Sequence, residues 1–206
     1  MSTATDFEVR ACAVGLSLRS SDGVLKLEGY ASTFDAYDYG PFREQIAPGA
    51  FRNALASAPD VVLNMNHGRA GSGLPLARTG SGRLRLAEDA NGLLVSADLD
   101  PDDADCALLA SKLRSGALSA MSFAFKDAID SWSPDGTLRT IRSLSLDGGD
   151  VSVVANPANP ATSVALRSRA RALAPHSRPT AGAVGPDSLQ LAQEQLILLR
   201  AGRAGR

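Results

Sequence analysis

The stretch Ser115-Gly116-Ala117-Leu118-Ser119-Ala120-Met121-Ser122-Phe123-Ala124-Phe125 constrains the fold more than any other part of the chain. Read as a strand, its side chains alternate between two faces with a period of two. Met121, Phe123 and Phe125 share one face, which suits a core, and Ala120, Ser122 and Ala124 share the other. The second face is a strip of small residues with one hydroxyl in its middle and room for another group to lie against it. Alone, the stretch is a half-buried strand with an incidental serine. Segments before and after it bring in chemistry.

The chain to about residue 155 consists of short apolar or alternating runs cut by turn residues. Phe7 to Leu18 alternates in part, Ser20-Ser21-Asp22-Gly23 is turn chemistry, and Val24 to Ser32 returns as the second strand of a hairpin. Phe34 to Phe42 reads as a loop. Glu44 to Phe51 leads into a short helix through about Ser57, with Pro48 in its first turn, where no backbone donor is needed. Val61 to Asn66 predicts a short strand ending at His67-Gly68, and Arg69 to Gly73 is too rich in glycine to be regular. Leu74 to Leu86 predicts a strand pair or one bent strand, and Asn91-Gly92 a hairpin leading into Leu93 to Leu99.

Pro101 to Ser115 carries the signals of a helix. Asp100 caps it, Asp102 and Asp103 favour its N-terminus, Lys112 and Arg114 its last turn, and Gly116 stops it. The central strand then runs to about Trp132, Ser133-Pro134-Asp135-Gly136 turns, and Leu138 to Leu146 returns. Asp150 to Ala155 is the last strand, stopped at Asn156-Pro157-Ala158-Asn159-Pro160. Roughly seven or eight strands with two inserted helices, and no strand–helix alternation, predict a mainly β (α+β) class. The expected form is antiparallel and barrel-like, with the helices packed outside.

The composition changes after residue 166. Arg167, Arg169, Arg171, Pro175, Arg178 and Pro179, among alanines and glycines, cannot make a core, so residues 167–186 read as a linker after a folded domain of residues 1–166. In residues 187–206, Leu189, Ala192, Leu196 and Leu199 recur at helical spacing. This amphipathic helix has two readings: it seeks a partner surface, or it docks on its own domain.

Several function classes have no support. A net charge of −1 gives no reason to expect nucleic acid or an anionic membrane as partner. No apolar run reaches membrane-spanning length and the N-terminus has no targeting pattern, so a soluble cytosolic protein is expected. Cys12 and Cys106 stand alone and read as small apolar residues, with a disulfide between them as the alternative. No phosphate-cradling or dinucleotide fingerprint occurs, and His67 has no second histidine or paired cysteine with which to hold zinc. No cofactor or metal is predicted.

A general base near neutral pH is most simply a histidine. His176 lies in the linker, so His67 is the only histidine of the folded part. A lone histidine at a strand end is commonly structural; the other reading pairs it with a serine nucleophile. Such a pair needs a third group that orients the ring and stabilises its cation. Asp150, sharing a strand face with Ser152 and Val154, is the first candidate, and Asp147 the alternative.

At this point the chain resembles a known family, the prohead (capsid-maturation) serine proteases of tailed bacteriophages, which are related in fold to the herpesvirus assemblins. The resemblance runs from about Glu28 to Ala165. It rests on Glu28-Gly29-Tyr30-Ala31-Ser32-Thr33-Phe34, on Glu44-Gln45-Ile46-Ala47-Pro48-Gly49-Ala50-Phe51, and on Asn66-His67-Gly68 followed by Leu74 to Thr79. Asp89-Ala90-Asn91-Gly92-Leu93, Met121-Ser122-Phe123-Ala124-Phe125 and Asp150 to Pro160 complete it, in order and at fitting spacing. The resemblance implies catalytic roles for Ser122, His67 and Asp150. The family's acid is more often glutamate, Ala77 stands where a glycine is common, and Phe123-Ala124-Phe125 lacks a glycine often found after the serine. Assemblins use a second histidine in the third role, which this chain can fill only with a carboxylate.

The resemblance further implies a serine endopeptidase acting inside the assembling prohead in the host cytoplasm. Its substrate would be scaffold or the scaffolding segment of the major capsid protein, and the enzyme itself, cut in the exposed linker. A second copy of the chain is a further candidate partner. Oxyanion donors are expected from Gly71-Ser72-Gly73 or from Gly148-Gly149. Two rival readings are an inactive capsid-assembly module of the same fold, and a binding domain in which His67 and Ser122 never meet.

Overall fold

A computed structural model of the chain describes residues 7–155, apart from 13, 22 and 69–73. The Pro-rich stop at Asn156 to Pro160, the linker 167–186 with His176, and the helix expected within residues 187–206 lie outside the described residues. In chain order the elements begin β1 (Glu8–Cys12), β2 (Val14–Ser21), β3 (Val24–Thr33), β4 (Tyr37–Tyr39), β5 (Phe42–Ile46) and α1 (Arg52–Ala56). They continue with β6 (Val62–Met65), β7 (Ala77–Arg78), β8 (Leu84–Glu88), β9 (Gly92–Leu99) and α2 (Ala104–Arg114). The last are β10 (Ala120–Trp132), β11 (Leu138–Ser145) and β12 (Asp150–Val154). The fold is mostly β with few helices.

The strands form two sheets. One has the order β4-β5-β11-β10-β12-β6-β7, with β1 also paired to β10; the other has the order β2-β3-β9-β8. Antiparallel pairing predominates, as expected, but β5 with β11 and β6 with β12 run parallel. Alternation within a strand fixes its faces and says nothing about its neighbour's direction, so these two pairs were not foreseeable. There are more strands than expected, because several predicted runs split. Phe7 to Leu18 divides into β1, which joins β10, and β2, which forms the expected hairpin with β3.

Local chemistry explains the other departures. The segment expected as a loop, Phe34 to Phe42, contributes β4, which hairpins onto β5. Its aromatic residues find partners there: Tyr39 packs on Phe42, and Phe42 meets Trp132 edge-on at 4.7 Å between ring centres. Pro48 lies in the turns before α1 and not in its first turn. The second helix begins three residues later than Pro101. Asp100 accepts the Asp102 amide in a turn of its own, and Asp103 is the cap, taking the amides of Asp105 and Cys106.

At the centre, Met121, Phe123 and Phe125 are fully buried, as their face of the strand predicted. Phe123 lies between Phe51 and Phe125, with ring centres 5.5 and 5.1 Å away. Burial of each such ring contributes about 1.5–3 kcal/mol. The other face is closed too: Ala120, Ser122 and Ala124 are buried, so the strip of small residues is not an open groove.

Beside these rings lies a buried group of charges. Arg10 on β1 bonds Glu8 and Glu44; Arg139 on β11 bonds Glu8, Glu44 and Asp130. The Tyr37 hydroxyl donates to Glu44 at 2.6 Å. Burial opposes ionisation of Glu8, but hydrogen bonds and charge from Arg139 and Arg10 outweigh it and hold the carboxyl below its usual range. Burial likewise disfavours the charged guanidinium of Arg10, and its contact with Glu44 more than offsets that, raising its pKa. This network ties the N-terminal strand to β5 and β11, and so fixes β1 along β10.

Candidate active site

The sheet register sets up the site. Across the ladders, Ala11 on β1 stands opposite Ser122 on β10, Ser122 opposite Ser152 on β12, and Ser152 opposite Asn64 on β6. Directly paired residues project to the same face, so three polar side chains rise from one row of an otherwise apolar sheet. Two residues before Ser152, Asp150 opens β12 on that same face. His67 follows the end of β6 in a 3-10 turn, Asn66–Gly68.

That turn is strained. Asn66 and His67 both have left-handed backbones, with φ of 53° and 54°. Each such non-glycine residue costs about 1–3 kcal/mol and persists only where its surroundings hold it. The left-handed turn brings the imidazole back over the row of polar side chains.

The three residues singled out from the sequence come together. His67 Nε2 is 2.7 Å from Ser122 Oγ, and His67 Nδ1 is 2.8 Å from Asp150 Oδ1. An ionised carboxylate only accepts, so Nδ1 carries the proton and Nε2 is left as the acceptor facing the hydroxyl. Burial disfavours the Asp150 anion, but hydrogen bonds from His67, Asn64 and Ser152 outweigh it and hold the carboxyl below its usual value. Asp147, the alternative third group, is 78% exposed and pairs with Lys126 at 3.0 Å, on another side of the turn.

Three partners were not singled out beforehand. Asn64 Nδ2 and the Ser152 hydroxyl both donate to Asp150 Oδ2 at 2.9 Å. Ser152 Oγ also accepts the main-chain amide of His67 at 2.9 Å. The third is the carbonyl oxygen of Arg10, which accepts from the Ser122 hydroxyl at 2.7 Å. The signal for Ser152 was present in the sequence, a hydroxyl two residues after the acid in an apolar strand. Asn64 and Arg10 are reached only through strand pairing.

The expected oxyanion donors fare differently. Gly71-Ser72-Gly73 lies outside the described residues. The Gly149 amide is spent on the Leu146 carbonyl at 2.9 Å, closing the turn between β11 and β12. Gly149 is required there for space, since a Cβ would stand 2.2 Å from the Ala124 carbonyl oxygen.

Other chemistry is not assembled nearby. Cys12 and Cys106 form no disulfide, and burial pushes the Cys106 thiol up to about 11, which leaves it a poor nucleophile. Among the described residues, no three His, Cys, Asp or Glu side chains gather as metal ligands.

A family model described as "Caudovirus prohead serine protease" matches residues 14–177. The prohead protease of Enterobacteria phage HK97 is 34% identical over 142 residues, which cover 67% of this chain and 58% of that protein. Among solved structures, the bacteriophage T4 capsid assembly protease matches with a TM-score of 0.48 and 11% identity. That match covers 75% of this chain and all of the T4 chain.

Proposed function

The chain belongs to the caudovirus prohead serine protease family, and we propose that it is a serine endopeptidase in which Ser122, His67 and Asp150 act as nucleophile, general base and orienting acid. The observation that carries this reading is the continuous chain of contacts from Ser122 Oγ through both ring nitrogens of His67 to Asp150. A binding domain in which His67 and Ser122 never meet does not fit a 2.7 Å contact.

The steps follow from the geometry. As Ser122 Oγ attacks a peptide carbonyl, its proton passes to Nε2, and the imidazolium is stabilised by the Asp150 carboxylate at Nδ1. The cation then gives that proton to the leaving amine, and an acyl-enzyme remains. Water attacks the ester by the same route in reverse. Asp150 keeps its charge throughout, and hydrogen bonds to both its oxygens hold it ionised.

The substrate we propose is scaffold, or the scaffolding segment of the major capsid protein, cut inside the assembling prohead, together with the enzyme's own linker at 167–186. Family membership supports this part. The decisive test is labelling of the full chain with a fluorophosphonate, followed by peptide mapping. Adduct on Ser122, lost in His67→Ala and absent from Ser119 and Ser152, is the expected result. Undiminished peptidase activity in Ser122→Ala sinks the scheme.

A further inference from the structure

Ser152 connects two of the proposed catalytic groups through a single oxygen. It is fully buried, and it spends that oxygen in two directions at once. Its hydroxyl donates to Asp150 Oδ2, and its lone pair takes the amide proton of His67, both at 2.9 Å. A buried serine that only satisfies itself bonds a nearby carbonyl and needs nothing further. This one bridges an anion and a strained main chain.

The two contacts solve two separate problems. The left-handed backbone at Asn66 and His67 decides where the ring goes, and something must hold it there. The amide bond to Ser152 does so at the residue itself. The carboxylate must also present one oxygen to Nδ1 without swivelling. Ser152 and Asn64 together occupy Oδ2, which leaves Oδ1 for the ring. Only a group that donates and accepts in the same place serves both ends, and a hydroxyl does so with a single atom.

From this we infer that Ser152 is a positioning residue for the proposed reaction, locking the His67 main chain and the Asp150 carboxylate into one register so that Nε2 is aimed at Ser122. The inference rests on the triad reading above. Its effect is felt through His67 and Asp150, since Ser152 itself touches no reacting atom.

The test uses the full chain with diisopropyl fluorophosphate as the probe of nucleophile reactivity. Ser152→Ala is expected to lower the rate of Ser122 phosphorylation by the probe by about 10- to 100-fold, the usual size of an orientation loss of this kind. A downfield proton resonance of His67 Nδ1–H is expected in the parent, from its contact with Asp150, and is expected to shift or broaden in the variant. A parent-like rate in Ser152→Ala overturns the inference and leaves the triad standing. A slowed rate with the downfield resonance unchanged overturns it too, because the ring would then be held as before. Should Ser152→Ala not fold, amide exchange in the parent decides. The His67 amide is expected to exchange as slowly as those of β6, and exchange at the rate of an open loop overturns the proposal. A parent that takes no label at Ser122 removes the triad reading, and this inference with it.

Discussion

The main-chain carbonyl of Arg10 accepts the Ser122 hydroxyl at 2.7 Å, a contact between residues 112 apart in sequence. His67 Nε2 lies at the same distance from Ser122 Oγ. A hydroxyl has one proton, so the two acceptors compete for it. When the imidazole is neutral, Nε2 can take the proton; when the ring is protonated, Nε2 donates to Oγ and the hydroxyl turns to Arg10. Strand β1 therefore supplies the competing acceptor for the proton of the proposed nucleophile, and the buried charges that anchor β1 bear on reactivity.

Glu44 is the centre of that anchor, bonded to Arg10, Arg139 and Tyr37. Glu44→Ala is predicted to cost about 3–5 kcal/mol, because Arg10 and Arg139 lose the buried carboxylate they share and keep only Glu8 and Asp130 as counter-charges. The urea midpoint should fall, and the loss should change little with added salt, since buried pairs are poorly screened. Ser122 labelling by a fluorophosphonate should slow in the same variant.

Ser122→Ala and His67→Ala are each predicted to lower peptidase turnover by at least about a thousandfold, and the double variant no further, as residues that act as a unit do not add. Asp150→Asn should cost about 10⁴-fold, because an amide no longer fixes the Nδ1–H tautomer. Circular dichroism should show each variant folded. Losses that multiply in the double variant would count against a shared mechanism.

Acid should destabilise the protein through Glu8 and Asp150. Both carboxyls titrate lower in the folded chain than their usual values of 4.5 and 3.8. Their ionised forms therefore stabilise the fold above those values, and that stability is lost as pH falls through the lower folded values. Urea midpoints measured from about pH 5 down to about pH 3 should decline, and Asp150→Asn should flatten part of the decline. A flat profile in the parent contradicts the shifts.

Gly149→Ala is predicted to destabilise by roughly 1–3 kcal/mol or more, because the added methyl meets the Ala124 carbonyl oxygen, which the sheet holds in place. Since Asp150 is the next residue, the labelling rate at Ser122 should drop further than stability alone accounts for. Thermal melting and labelling of one preparation check both halves.

What the sequence disclosed follows from what alternation encodes. The run from Ala120 to Phe125 separates an aromatic core face from a face of small residues without any knowledge of neighbours; the first is buried as read, and the second, read as open, is closed as well. Alternation is silent on which strand lies alongside, and so it missed the row that joins Ser122 to Ser152 and Asn64. It is equally silent on Glu8, Arg10, Glu44 and Arg139. Charged residues alternating with apolar ones look solvated, yet here they point inward and neutralise one another. The helix cap moved from Asp100 to Asp103 for a related reason, since successive aspartates each fit an amide-accepting turn and only the packing of Cys106 and Leu109 selects between them.

The long sequence spans within the site carry a consequence for the order of synthesis. Residues 10, 67, 122 and 150 are made in that sequence, and the final acid is 83 positions beyond the imidazole it bonds. A nascent chain still short of β12 has its hydroxyl and its ring but neither the acid nor the neighbouring serine that steady them. The proposed nucleophile is thus without its partners until nearly the whole domain has left the ribosome, a delay imposed by connectivity alone.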